Sequence, residues 1–209
     1  IRQMPIEGSD YVNLIFIGPG HPLRRRQYVT GKPSSLSTRD HIIYVSQEVR
    51  DANQGHMTLI GLQAPIAPIR AYTGTDIGNN IKPLPNEPLN WEVYEQLHEQ
   101  GGLAFHAHFL FWPGYGSAAS AAIDKVDGLE WLRSDLVSRT SPTRQRIKVP
   151  GYGLRRSGQL WYDMLNCGIQ IPIIGGTDKM NAKRVVGGNS RTYVKVGHWS
   201  HKGFMAGLV

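Results

Sequence analysis

The alternation of apolar runs with helix-like segments is the feature that most constrains the fold of this chain. Seven runs predict strands, at residues 11–18, 41–49, 57–62, 103–109, 127–132, 169–176 and 191–197. Several are almost continuously apolar, which is typical of strands covered on both faces. Helical patterns begin at Asn90, at about residue 117 and at about residue 157, and Gly101 and Gly168 end the first and the last. This order predicts an α/β fold with parallel strands, as a barrel or an open sheet.

Length and composition predict a globular chain of one domain or two small ones. The chain has 209 residues, of which 40% are apolar and 19% charged, and it can bury a substantial core. Residues 63–90 are rich in proline and residues 134–155 are basic, so both predict long loops. Long loops at the mouth of a barrel often shape the access of substrate.

Several classes of protein are disfavoured. The single cysteine, Cys167, excludes an internal disulfide and a cysteine-rich zinc site. No apolar run approaches the roughly 20 residues of a membrane span. The net charge of +7 raises the question of nucleic acid, but the basic residues are scattered and no basic motif interleaved with aromatics occurs. A small-molecule substrate is therefore favoured over nucleic acid as the partner, and the oligomeric state is left open.

Metal-capable side chains occur where predicted strands meet loops. Glu48 ends one apolar strand, His56 precedes the next, His108 ends "LAFHAH" and Asp178 follows "IPIIGGT". In α/β barrels the C-terminal ends of the strands gather the catalytic groups. Imidazole and carboxylate are ligands for zinc, manganese or iron, which can generate a hydroxide nucleophile from water. Taken singly, a histidine or an acid at a strand end is more often a hydrogen-bonded structural group, and only the four together bring the metal-site interpretation level with that one.

The stretch "GGLAFHAHF" carries two histidines, His106 and His108, two residues apart. In a strand, residues i and i+2 point to the same face, so the two side chains are expected to face the same way. Three interpretations follow from the spacing: a pair of metal ligands, one ligand with a bystander, or two ordinary histidines.

Five segments resemble the PHP (polymerase and histidinol phosphatase-like) superfamily, and more narrowly its CehA/McbA-type metallohydrolases. They are "SQEVRDANQGHMTLIGL", "GGLAFHAHF", "KVDGLEWL", "WYDMLNCGIQIPIIGGTDKMN" and "RTYVKVG", in order over roughly residues 28–208. The resemblance implies a distorted (β/α)7 barrel with its metals at the C-terminal mouth, in a single, partial domain over residues 1–209. It also implies a hydrolase that directs a metal-activated water at an ester, carbamate, amide or phosphoester.

The resemblance also assigns ligands by position. Glu48 matches the acid that bridges two metals, His56 in "QGH" matches the histidine that follows it, and His108 matches the ligand at the end of the "AH" strand. Asp178 matches the late aspartate, which would ligate or accept the proton of the water. His106 stands where relatives commonly carry a bulky aromatic, so it is interpreted as a polar filler beneath the site. Two or more divalent ions are expected in the complete protein.

The sequence departs from the family pattern in two places. No His-x-His strand occurs near the N-terminus, which leads us to expect a fragment whose barrel is incomplete there, or else a degenerate site. Many relatives also carry a histidine two residues after the late aspartate, where this chain has Met180. A thioether is a poor ligand for a hard metal. One fewer protein ligand is therefore expected, or the use of Lys179 for substrate charge.

Four further residues are candidates for supporting roles. Glu130 in "DGLEWL" could orient a ligand or make a structural hydrogen bond. Asn181, Arg191 and Tyr193 fall near the expected mouth and could meet substrate. The rival interpretation of the whole chain is a non-catalytic PHP-like module, binding a carbohydrate or a protein, that kept the barrel and has a degenerate metal site.

Overall fold

The computed structural model describes residues 3–17, 26–51, 55–66, 90–108, 115–133, 161–177, 188 and 190–208. This part of the chain contains six strands, five α-helices and one short 3-10 helix, Arg26–Tyr28. The strands are β1 (Tyr11–Ile17), β2 (Ile42–Asp51), β3 (Gly55–Ile60), β4 (Leu103–His106), β5 (Gly128–Arg133) and β6 (Ile173–Gly176). The helices are α1 (Gln3–Glu7), α2 (Asn90–His98), α3 (Tyr115–Ala122), α4 (residues 161–166) and α5 (His201–Ala206). Most of the predicted loop at 63–90 and all of the loop at 134–155 lie outside the described residues.

The strands form one curled sheet in the order β1-β2-β3-β4-β5-β6, a mixed α/β half-barrel. The pairs β1–β2, β4–β5 and β5–β6 are parallel, as predicted. The prediction is wrong for β3, which runs antiparallel to both β2 and β4. The reason is the length of the connection, because only residues 52–54 join β2 to β3, whereas a parallel pair requires a crossover of about a dozen residues or more.

One face of the sheet packs against the helices, and we call it the core face. Its register brings Val49 opposite Met57 and Leu59 opposite Ala104, and all four side chains are buried. Helix α2 covers this face with Val93, Tyr94 and Leu97, which the amphipathic pattern of the helix predicts. Among the described residues, no helix is long and apolar enough to cross a membrane.

Helix α5 packs near the start of β1 and β2 through stacked aromatic rings. The ring of Phe204 lies 3.7 Å from that of Tyr11, and the ring of His201 lies 3.9 Å from that of Tyr44. The Tyr11 hydroxyl also lies 2.7 Å from Nδ1 of His201. Burial raises the pKa of Tyr11 and lowers the pKa of His201. Ser200 caps the helix by accepting a hydrogen bond from the backbone of residue 203.

The strand predicted at residues 191–197 is wrong, because the chain there has no regular secondary structure. This segment contacts β6 through the side chain of Thr192. The Thr192 hydroxyl accepts a hydrogen bond from the Gly175 amide at 2.9 Å and lies 3.2 Å from the Gly175 carbonyl. The alternating pattern of the sequence therefore does not lead to a strand here.

Candidate metal centre

The face of the sheet opposite the core face carries the candidate site, and we call it the site face. Glu48 in β2 pairs with Thr58 in β3, and Thr58 pairs with Phe105 in β4. Phe105 in turn pairs with Gly128 in β5. Because side chains alternate between the two faces along each strand, Glu130 shares the face of Gly128 and therefore of Glu48.

Glu48 and His56 meet through the antiparallel pairing of β2 and β3. His56 is two residues from Thr58, the partner of Glu48, so the two side chains are diagonal neighbours on one face. Nδ1 of His56 lies 3.3 Å from Oε1 of Glu48. A histidine at the beginning of a strand reaches a carboxylate near the end of another because β3 runs in reverse. Glu48 is 3% exposed, so its charge lies almost entirely out of contact with solvent.

His108 reaches the same carboxylate from β4. The strand ends at His106, and His108 has a left-handed backbone with φ of 47°. This conformation is uncommon for a residue other than glycine. Nε2 of His108 lies 3.6 Å from Oε1 of Glu48, and its ring stands nearly perpendicular to that of His56, with the centroids 5.4 Å apart. The turn after β4 therefore directs this imidazole into the site.

Glu130 holds His108 from the side opposite Glu48. Its Oε2 accepts a hydrogen bond from the backbone amide of His108 at 2.6 Å and lies 2.9 Å from Nδ1 of the same residue. The β5–β6 register shifts just after Glu130, and such bulges re-aim side chains. Gly176 completes this arrangement, because a Cβ at that position would overlap Oε1 of Glu130. Gly176 was not among the predicted site residues, because the sequence pattern of β6 does not distinguish it from its neighbour Gly175.

The donor set fits a divalent metal ion. Glu48, His56 and His108 each offer one ligand atom, and these atoms all lie within 4.8 Å of one another. Imidazole nitrogen with carboxylate oxygen is a ligand set that zinc, manganese and iron accept. Glu48 and His108 are buried and His56 is partly buried, which suits a site that excludes bulk water.

His106 lies apart from this cluster. It pairs with Met57 on one side and Leu129 on the other, both core-face residues that are at most 1% exposed. His106 itself is 2% exposed. The prediction that His106 and His108 face the same way is therefore wrong, because the strand ends between them and the backbone of His108 turns.

The remaining predicted residues have different positions. Arg191 is exposed, and its guanidinium donates hydrogen bonds to the carbonyls of Gly8, at 2.7 Å, and Gly188, at 2.5 Å. Tyr193 is 88% exposed. Three further residues, Asp178, Lys179 and Asn181, lie outside the described residues.

A polar pair that the sequence analysis did not single out lies beneath Glu48 on the site face. Ser46 is fully buried, and its hydroxyl donates a hydrogen bond to Oδ1 of Asn13 at 2.8 Å. The sequence provides little signal for this pair, because Ser46, Gln47 and Glu48 are three consecutive polar residues in β2. This pair fixes β1 against β2 below the carboxylate.

Comparison with known proteins identifies relatives by fold. No family model matches the chain, and no curated protein matches it. Among solved structures, it resembles a two-domain protein from Bacteroides vulgatus that contains a predicted PHP-like metal-dependent phosphoesterase. The TM-score is 0.52 at 15% identity, over 96% of this chain and 54% of that one. PsfC from Pseudomonas syringae gives a TM-score of 0.47 at 12% identity, over 91% of this chain and 78% of that one.

At 15% identity, the likeness to the Bacteroides protein is one of fold alone. The chain spans about half the length of that two-domain protein. Independently of that likeness, Glu48, His56 and His108 form a group that could hold a metal ion.

Proposed function

We propose that this chain belongs to a CehA/McbA-type metal-dependent hydrolase of the PHP superfamily. The observation that carries the proposal is the convergence of Glu48, His56 and His108, from β2, β3 and the turn after β4, with ligand atoms within 4.8 Å. Carboxylate and imidazole side chains gathered in this way form a ligand set that a divalent ion accepts.

The proposed roles follow from the atoms that face one another. Glu48 would bridge through its carboxylate, while His56 and His108 would ligate through Nδ1 and Nε2, the atoms nearest Oε1 of Glu48. A bound divalent ion, zinc, manganese or iron, would supply Lewis acidity and lower the pKa of a water. Two or more ions are proposed for the complete protein.

The segment after β6 supplies the other proposed roles. Asp178 follows Thr177 directly in sequence and would complete the ligand set or accept the proton of the attacking water. Lys179 and Asn181 would contact a small-molecule substrate, with Arg191 at the rim. The scissile group would be an ester, carbamate, amide or phosphoester. Phosphoesters come first in any screen, because the Bacteroides protein is described as containing a predicted phosphoesterase.

The test is the metal content of the full-length protein and of its variants. Glu48→Ala and His108→Ala should each lower the ratio of bound metal to protein and abolish hydrolysis. His198→Ala is the matched control, because His198 is an exposed histidine of the same chain. Unchanged metal stoichiometry in both site variants would sink the assignment.

The rival function is a non-catalytic PHP-like binding module with a degenerate site. Met180, in place of the histidine that many relatives carry after the late aspartate, is the observation that favours it. One experiment distinguishes the two functions, a hydrolase substrate panel assayed with the metal-loaded protein. Hydrolysis of a substrate supports the enzyme, and no hydrolysis of any substrate supports the binding module. A His-x-His strand encoded just upstream of Ile1 would favour the enzyme.

A further inference from the structure

We infer that Glu130 is a positioning residue that fixes the orientation and the tautomer of His108 for metal binding. This inference rests on the proposed metal site. Glu130 does not face the shared point between Glu48 and His56; it contacts His108 on the far side of the imidazole ring. Glu130 therefore acts on the metal through His108.

The tautomer follows from the acceptor on each ring nitrogen. Oε2 of Glu130 accepts the backbone amide of His108 and lies 2.9 Å from Nδ1, so it is placed to accept the hydrogen of that ring nitrogen as well. Nε2 then keeps its lone pair, and Nε2 is the atom that faces Glu48. A histidine whose second nitrogen donates to a carboxylate is a more basic and better oriented ligand.

The backbone is held by the same oxygen. Oε2 of Glu130 accepts the backbone amide of His108 at 2.6 Å, so one atom fixes both the peptide and the ring. This contact compensates for the left-handed backbone at His108, where φ is 47°. Without the contact to Glu130, nothing would favour the turn at His108. If β4 continued as an extended strand, the His108 imidazole would lie on the core face.

Gly176 connects Glu130 to the end of β6. The Glu130 carboxylate lies against the Cα of Gly176 so closely that no methyl group fits between them. β6 is also the strand that leads to Asp178, the proposed late ligand. Through Glu130, the position of His108 therefore depends on the position of β6.

The first experiment reads the tautomer in the metal-free, full-length protein. Nitrogen NMR of the histidine rings distinguishes a protonated from an unprotonated ring nitrogen, and the His108 signals are assigned by their absence from His108→Gln. In the wild type, Nδ1 should be the protonated ring nitrogen of neutral His108, because its acceptor Oε2 of Glu130 lies at hydrogen-bond distance, 2.9 Å, whereas Nε2 lies 3.6 Å from Oε1 of Glu48. Glu130→Ala should lose this preference, whereas Glu130→Gln should retain it, because the amide oxygen can still accept both hydrogen bonds.

The second experiment measures zinc and manganese affinity. Glu130→Ala should bind about 10- to 100-fold more weakly than the wild type, and Glu130→Gln should recover part of that loss. Gly176→Ala should also weaken metal binding, because the added methyl group displaces the Glu130 carboxylate without removing it. The variant should still fold, because a strand backbone accepts alanine. Gly197→Ala is the control, because a Cβ there meets nothing within 4 Å, and its affinity should match the wild type.

The two readouts separate this inference from the proposed function. A wild type with the expected tautomer but no metal affinity would refute the metal site and leave the positioning of His108 intact. Retention of the Nδ1–H tautomer in Glu130→Ala, or wild-type metal affinity in both Glu130→Ala and Gly176→Ala, would overturn the role of Glu130. If Glu130→Ala does not fold, the NMR and affinity results for Glu130→Gln and Gly176→Ala decide the question in the same way.

Discussion

His106 and His108 are two residues apart in sequence, yet they lie on opposite faces of the sheet. His106 packs between Met57 and Leu129 on the core face, while His108 lies on the site face with Nε2 3.6 Å from Glu48. The cause is the end of β4 at His106, followed by the left-handed backbone at His108. An apparent His-x-His pair is thus one buried core histidine and one candidate ligand.

This relationship predicts different effects for matched substitutions. His108→Gln should lower the metal-to-protein ratio and leave the fold intact. His106→Gln should keep the metal but lower the free energy of unfolding by about 1–3 kcal/mol, because it alters a polar group buried in the core. Elemental analysis and urea unfolding measure the two quantities. Equal loss of metal in both variants would contradict the separation of the two faces.

Metal binding should stabilise the wild type measurably. A ligand that binds only the folded state, at about 100 times its dissociation constant, adds roughly 2.7 kcal/mol to the free energy of unfolding. Thermal unfolding with and without zinc, and after removal of the metal with a chelator, measures this. Glu48→Gln should lose the zinc-dependent rise in Tm, and the surface variant His198→Ala should keep it. An unchanged Tm of the wild type on addition of zinc would contradict the proposed metal site.

Stability should fall as the pH drops below the ordinary pKa of histidine, and His201 should contribute to that fall. Burial lowers the pKa of His201 in the folded state, where the ring stacks on Tyr44 and contacts the Tyr11 hydroxyl. The unfolded chain therefore binds the proton more readily. Its contribution is fully present above about pH 6.5 and is lost as the pH falls towards the lowered folded-state pKa.

His201→Asn tests this contribution, because the amide oxygen can still accept a hydrogen bond from Tyr11 but cannot titrate. Denaturant unfolding at about pH 7.5 and about pH 5.5, on either side of the ordinary histidine pKa, gives the change in stability for each protein. The variant should lose less stability than the wild type over this interval. An equal loss in both would show that His201 is not a source of the acid sensitivity.

Much of this fold can be predicted from the sequence, because the strands coincide with apolar runs. β1, β4 and β6 fall within predicted runs, and β2, β3 and β5 overlap theirs but extend one or two residues beyond them. Glu48 and His108 were chosen as candidates from their places near strand ends. Two of the failures share a physical cause, which is dependence on contacts distant in sequence. His108 contacts Glu130, and the segment around Thr192 contacts the backbone of Gly175. The direction of β3 is different, because the short connection after Asp51 already excluded a parallel pair.

Close packing of α2 on the sheet behind the site gives the last prediction. A Cβ at Gly102 would lie 2.7 Å from the Ile60 carbonyl and 2.9 Å from Cγ of Leu97, with no open space between them. Gly102→Ala should therefore lower the free energy of unfolding by about 1–3 kcal/mol, the usual cost of overpacking. Any gain from a less flexible unfolded chain is smaller, about 0.4–1 kcal/mol. Urea unfolding of Gly102→Ala and of the control Gly197→Ala isolates the packing effect. Both substitutions change the unfolded chain in the same way, but a Cβ at Gly197 meets no neighbour within 4 Å. Equal stability of the two variants would contradict the close contact between α2 and β3.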